Sequence, residues 1–211
     1  MEYGNHTTLK NQVYASLYTD IITGVYPPEA ILTEKALIEK YHTSRAPVRE
    51  ALTQLIGKHI LTSLPRQGYR IERPNRRKLL EIVKFRSALE TSFLENFHIY
   101  LKAEDLAELR KICDAYTACS DRDFMAHWHY NCEFHLKLFS KYGNEYAYKL
   151  MEDSLHIQTI FFVQKKHVAT MDLHLAVLDY IDRGEIATAC KLLKADIEHI
   201  LLPTAPPPPV K

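Results

Sequence analysis

Thr43-Ser44-Arg45-Ala46-Pro47-Val48-Arg49-Glu50-Ala51-Leu52 is the stretch on which the fold turns. Ser44 stands where a helix can be capped, and Pro47 falls in the first turn, whose amides have no intrahelical partner to lose. Val48, Ala51, Leu52 and Leu55 then recur at helical spacing, so one face is apolar and Arg45, Arg49 and Thr53 fall on the opposite or flanking side. Upstream, Thr33 followed by Glu34, with Ala36-Leu37 and Tyr41 behind, predicts a capped short helix, and His42-Thr43 makes the turn between the two. Further back, Val13-Tyr14, Leu17 and Ile21-Ile22 predict a helix that Gly24 stops, and Tyr26-Pro27-Pro28 forces a turn. Downstream of Gly57, Ile60–Leu64 and Tyr69–Ile71 read as short strands around Pro65-Arg66-Gln67-Gly68. Two helices joined by a tight turn, the second opening on arginines, followed by a basic-tipped hairpin, make a winged helix-turn-helix.

Beyond the linker Arg73-Pro74-Asn75-Arg76-Arg77-Lys78, every segment has helical periodicity, predicting helices at about 76–100, 104–118, 121–142, 144–164, 168–182 and 185–201. Asp105 and Asp121 fall near helix starts, and Gly143 and Gly184 at breaks. The fold class is therefore mainly α: a winged helix-turn-helix domain over 1–74, an all-helical domain over 75–202, and a Pro-rich tail at 203–211 read as disordered or extended.

At 211 residues, 46% hydrophobic and 25% charged, the chain can bury a sizeable core and is not of disordered composition. Cys113, Cys119, Cys132 and Cys190 form no CxxC pair, which predicts reduced thiols and a cytoplasmic protein; no apolar run has the roughly 18 residues a membrane span needs. The net charge of +1 hides an asymmetry. Residues 1–78 carry 12 Lys+Arg against 7 Asp+Glu, net +5, and the remainder carries 15 against 19, net −4. A basic head on an acidic body fits a polyanion-binding module joined to one that does not bind polyanions.

The head resembles the winged-helix domain of the GntR family of bacterial transcriptional regulators. The resemblance rests on Ile21–Gly24 through Pro27-Pro28, Leu32–Leu37, Ser44–Leu52 and Arg66-Gln67-Gly68-Tyr69. It departs from the family at Glu29, where Gly usually follows the prolines, and at Lys35, often Arg, which keeps the charge and loses the bidentate fork. Thr43 and Ser44 sit at a helix N-terminus, whose amides and hydroxyls suit a phosphate. Arg45 and Arg49, one turn apart, can enter the major groove and pair with guanine O6/N7. Lys35 suits a phosphate anchor, and Arg66, Gln67 and Gly68 suit the minor groove or the backbone. The alternative for Arg45 and Arg49 is a solvated face paired with Glu50 or Glu34. One head makes few phosphate contacts, so a homodimer on a near-palindromic operator of double-stranded DNA is expected.

The body resembles the FCD effector-binding domain of the FadR-type branch of that family. The resemblance lies in Phe85-Arg86-Ser87-Ala88-Leu89-Glu90, in Phe134-His135 followed by Gly143-Asn144, and in His174 ahead of Asp182-Arg183-Gly184-Glu185. Many members hold a divalent metal through an Asp four residues before the histidine of the Phe-His pair and two later histidines. Here Asn131 stands for that Asp and Asp196 for the last His. The resemblance therefore implies Asn131, His135, His174 and Asp196 as ligands, suited to zinc, nickel or manganese at reduced affinity, with open positions for water or an effector carboxylate. His199, one turn on, is the substitute if the register slips. With 11 His in the chain, spacing alone would not select these, and a metal-free polar pocket is the competitor. Arg86 suits an effector carboxylate, with an i,i+4 pair to Glu90 as the alternative. Arg86, Asn131, His135 and His174 are thus the expected effector contacts. Trp128, Tyr130, Phe134, Phe161 and Phe162 read as core, and Cys132 as packing rather than a soft ligand.

These readings converge on a ligand-responsive bacterial DNA-binding regulator, most often a repressor in this family, with no membrane association and no enzymatic activity. The alternatives are a metal-dependent enzyme acting on a small organic acid and an adaptor that uses the head to hold a protein.

Overall fold

The computed structural model describes residues 8–27, 29–72, 75–119, 124–165 and 173–201, with backbone only at 124, 125, 162–165 and 200. The predicted tail at 203–211 lies outside them. The chain divides into two compact units, Met1–Asn75 with Leu155–Lys166, and Arg76–Ser154 with His167–Lys211.

The first unit opens with α1 (Leu9–Ile22), which buries Val13, Leu17 and Ile21 at four-residue spacing. Strand β1 (Ile31–Leu32) leads into α2 (Glu34–Tyr41), where Thr33 Oγ1 accepts the Ala36 N–H at 3.3 Å, the cap expected from sequence. His42, at φ +48°, ends α2 in the left-handed region. Helix α3 (Arg45–Gly57) buries Val48, Ala51, Leu52 and Leu55 against α1. Ser44 holds the N-cap position of α3 in extended conformation without its side chain bonding the helix. The predicted cap is thus positional only, and the exposed hydroxyl stays with solvent. Ile160, from α7 (Glu145–Lys165), joins the cluster formed by these side chains, Leu37, Ile60, Leu61 and Ile71.

The hairpin forms from β2 (Leu61–Leu64) and β3 (Gly68–Ile71), antiparallel with Ser63 opposite Tyr69. The sheet is wider than the two strands read from sequence, because β1 pairs with the other edge of β3, Leu32 opposite Tyr69, giving the order β1-β3-β2. A two-residue strand is too short to display alternation. The left-handed position at the hairpin tip is Arg66, at φ +63°. Gly68 serves the sheet instead: at φ +133°, a Cβ there would meet the Leu32 carbonyl oxygen at 2.3 Å.

In the second unit α4 (Arg76–Phe97) packs on α9 (Ile186–Glu198), α8 (His174–Asp182) on α9, and α5 (Ala103–Ala118) on α6 (Phe124–Ser140). Helices therefore stand where the periodicity predicts them, except that residues 121–123, with the expected helix-start Asp121, and the first residues of the predicted 168–182 helix lie outside the described part. The Gly143-Asn144 pair punctuates the bundle: Gly143 turns the chain at φ +67°, and Asn144 Oδ1 accepts the Ala147 N–H at 2.9 Å to start α7. Arg110 of α5 reaches Asp179 at 2.8 Å and also bonds Asp182, tying α5 to α8. Among the described residues no helix is long and apolar enough to cross a membrane.

Gly68→Ala should remove about 2 kcal/mol from the stability of the first unit, since both the added Cβ and the backbone angle are strained. Urea denaturation followed by circular dichroism checks this, with Gln67→Ala expected to change stability by less than about 0.5 kcal/mol.

Candidate functional site

Two groups of polar residues stand out, one exposed on the first unit and one buried in the second. On the first, the start of α2, the start of α3 and strand β3 meet at one carboxylate. Arg49 Nε donates to Glu34 Oε1 at 2.7 Å, Arg45 Nε lies 3.4 Å from Oε2, and the Tyr69 hydroxyl donates to Oε1 at 3.3 Å. The hydrogen bond from Arg49 holds the Glu34 carboxyl below its ordinary pKa, against the opposing effect of partial burial. Of the two carboxylates considered for these arginines, Glu34 is the one that meets them; Glu50 lies 3.8 Å from Lys10. Lys35 and Ser44 are exposed beside this point, and Arg66 and Gln67 are exposed at the hairpin tip. Thr43 differs: it is half-buried, and its Oγ1 has no hydrogen-bond partner among the described residues. Gly68 is half-buried within β3.

The second group is closed from solvent. Arg86 and Glu90 of α4, His135 of α6, His174 of α8 and Asp196 of α9 are each at most 2% exposed, and Asn131 of α6 is 9% exposed. Helical spacing puts Asn131 and His135 on one face. Asp196 Oδ2 lies 3.3 Å from His135 Nε2 and 3.1 Å from His174 Nε2, while its Oδ1 accepts the Leu173 N–H at 3.2 Å. Asn131 Nδ2 stands 3.4 Å from His174 Nε2, and a half-turn of the amide would present its oxygen there. Phe134 stacks on His174 with centroids 4.0 Å apart and meets His135 edge-on, so this core aromatic sets both imidazole planes.

His135 Nδ1 faces Glu90 Oε2 at 2.6 Å, and Glu90 Oε1 accepts the Arg86 Nε–H at 3.0 Å and lies 2.9 Å from Nη2 as an ion pair. Burial opposes the charge on His135; the negative field of Glu90 and the bonds to Asp196 and Glu90 outweigh it and raise the imidazole pKa, with Arg86 opposing. Burial likewise opposes the charge on Asp196, but His174 and His135 hold its carboxyl well below the usual carboxylate range.

This arrangement fits a divalent ion. Ligand atoms each about 2.1 Å from a metal stand about 3.0–3.4 Å apart, the spacing of Asp196 Oδ2 from the two Nε2 atoms. One ligand atom from each of His135, His174 and Asp196 lies within 4.8 Å of the others. Glu90 supplies the further feature of such sites, an acceptor behind the imidazole that would leave Nε2 to face an ion. Sequence reasoning weighed Glu90 only as the partner of Arg86; its spacing to Arg86 carries no information about His135, 45 residues away. Arg86, expected to grip an effector, is engaged with Glu90, the i,i+4 alternative. His199 turns its Nδ1 to the Asp196 carbonyl and is not among the clustered ligands. Cys132 is half-buried and likewise outside that cluster. Trp128 and Phe134 are buried, Tyr130 and Phe161 half-buried, and the side chain of Phe162 lies outside the described part.

Comparison with known proteins places both groups in a familiar setting. Residues 9–71 match the family model described as bacterial regulatory proteins, gntR family, and residues 81–199 match the FCD domain model. The HTH-type transcriptional repressor GlaR of Escherichia coli is 27% identical over 213 residues, covering 90% of this chain and 91% of GlaR. Among solved structures, E. coli McbR/YncC superposes with a TM-score of 0.73 at 21% identity, covering 92% of this chain and 95% of that one. A putative GntR transcriptional regulator from a Rhodococcus species gives 0.73 at 22% identity, covering 90% and 94%.

A proton and a metal ion compete for His135 Nε2. Because the imidazole pKa is raised, the proton that must leave is held to higher pH than on a free imidazole, so zinc affinity should fall as pH is lowered. Isothermal titration calorimetry in buffers of different ionisation enthalpy should detect its release. Glu90→Gln should weaken zinc binding about 10–100-fold in competition with a chelating dye.

Proposed function

This chain belongs to the gntR family of bacterial regulatory proteins and carries an FCD domain, and from that premise we propose how its residues divide the work of a ligand-responsive, DNA-binding transcriptional repressor. It is a regulator rather than an enzyme. The observation that carries the reading is the exposed pair Arg45 and Arg49, one turn apart at the start of the second helix of the helix-turn-helix. Each can present its guanidinium to guanine O6/N7 in the major groove. Lys35 and the Ser44 hydroxyl, with the α3 amides, take phosphates. Arg66 and Gln67 reach the minor groove or backbone from the hairpin tip, and Gly68 keeps the tip's strand paired. The Thr43 hydroxyl, turned inward, is not offered to the phosphate expected of it, and the Thr43 N–H closes the turn on the Ile38 carbonyl at 3.3 Å. Two heads in a homodimer reading a near-palindromic operator supply the phosphate contacts that one lacks. The protein works in the cytoplasm, away from membranes.

In the FCD domain, His135, His174 and Asp196, with the Asn131 amide oxygen, would hold a divalent ion; Glu90 orients His135, and Arg86 holds Glu90. Bound there, zinc, nickel or manganese would supply a Lewis-acid centre with positions open to an effector carboxylate. Asn131, His135 and His174 then face that effector. Effector binding shifts the dimer between two arrangements of its heads that differ in operator affinity.

Gel shift with the DNA flanking the protein's own gene, at two salt concentrations, tests the first part. Binding should weaken steeply with salt and be lost with Arg49→Ala; a salt-independent or absent shift would favour the adaptor reading. Elemental analysis should find about one ion per chain, reduced in His174→Ala. A metal-free protein holding an organic molecule would replace the metal centre with a polar pocket.

A further inference from the structure

Glu34 is the first residue of α2, and three elements converge on its carboxylate. Both arginines of α3 reach it through Nε, Arg49 at 2.7 Å and Arg45 at 3.4 Å, and Tyr69 of β3 adds its hydroxyl at 3.3 Å. A guanidinium is a rigid plane. Securing it at Nε fixes that plane while leaving the Nη1–Nη2 edge, the edge that matches guanine O6 and N7, to face outward. The exposures agree: the Arg45 and Arg49 side chains are 72% and 64% exposed and that of Glu34 is 20%. A long side chain held in advance has less freedom to lose when it meets its base. The same carboxylate also repels phosphates, which weakens binding to any duplex whose bases the arginines do not fit.

We propose that Glu34 is a positioning residue for sequence discrimination: its carboxylate, braced by Tyr69, pre-sets the guanidinium planes of Arg45 and Arg49 for base reading and opposes sequence-independent binding. The ion pair is therefore part of the reading apparatus rather than an alternative to it.

The proposal rests on the DNA-binding reading above, and its test starts from a duplex that the full-length wild-type protein selects from a randomised pool. Affinity is measured for that duplex and for a scrambled one of equal length and composition. Glu34→Ala should lower the ratio of the two affinities about tenfold or more, the worth of one well-made base contact, with the scrambled duplex bound as well as or better than by wild type. Tyr69→Phe should lower the ratio by a smaller factor. Glu34→Gln, which keeps an acceptor without the charge, should fall between wild type and Glu34→Ala, and it decides the matter if circular dichroism finds the Ala variant unfolded. A ratio unchanged in the folded variants, whether both affinities hold or both fall together, overturns the positioning role and leaves DNA binding intact. A wild-type protein that selects no duplex overturns both.

Discussion

A carboxylate carried out of water is tolerable only when its lone pairs are met, and Asp196 is met on both oxygens. One oxygen takes the amide that precedes α8, the other faces imidazoles from α6 and α8, and the chain of contacts continues through His135 to Glu90 and Arg86 on α4. Four helices thereby share one ionic line through the bundle. Removing His135, which links Asp196 to Glu90, takes a partner from two buried carboxylates at once, and breaking such a buried pair typically costs about 3–5 kcal/mol. Apolar packing holds the bundle together, and this line fixes its register, because each partner must stand at a particular turn of its helix.

The first unit uses the same chemistry under the opposite condition. Arg45 and Arg49 remain largely in water and meet Glu34 at the surface, where ion pairs add little to stability. What such a pairing contributes is orientation. Burial turns a carboxylate-cation contact into architecture, and exposure leaves it available for exchange with another partner. The uneven charge of the two halves of the sequence follows this division: cations are spent at the surface of the head, while several charges of the body are turned inward against each other.

How much of this was legible in the sequence depends on the range of the interaction concerned. The helix-turn-helix could be read because its signals are local: Thr33 as cap, the apolar face of Val48, Ala51, Leu52 and Leu55, and Pro47 in the first turn. The resemblance at Phe134-His135 and His174 led to residues that the fold brings together with Asp196. Glu34 reads in the sequence as one of two partners for Arg45 and Arg49, but the choice of Glu34 over Glu50, its bond to Tyr69, and Glu90 opposite His135 are contacts between elements that no spacing within one element announces. Strand β1 escaped notice because two residues show no period. Gly68 reads in the sequence as part of a tight turn that could approach DNA closely, whereas the space it leaves is taken by the Leu32 carbonyl on the neighbouring strand β1.

The tip of the hairpin is built at a disadvantage. Arg66 occupies a left-handed backbone conformation that glycine would adopt without strain and asparagine with little. Glycine there would relieve the backbone and surrender a cation at the hairpin tip. Under the DNA-contacting role proposed for Arg66, backbone ease and recognition pull the choice of residue at this position in opposite directions.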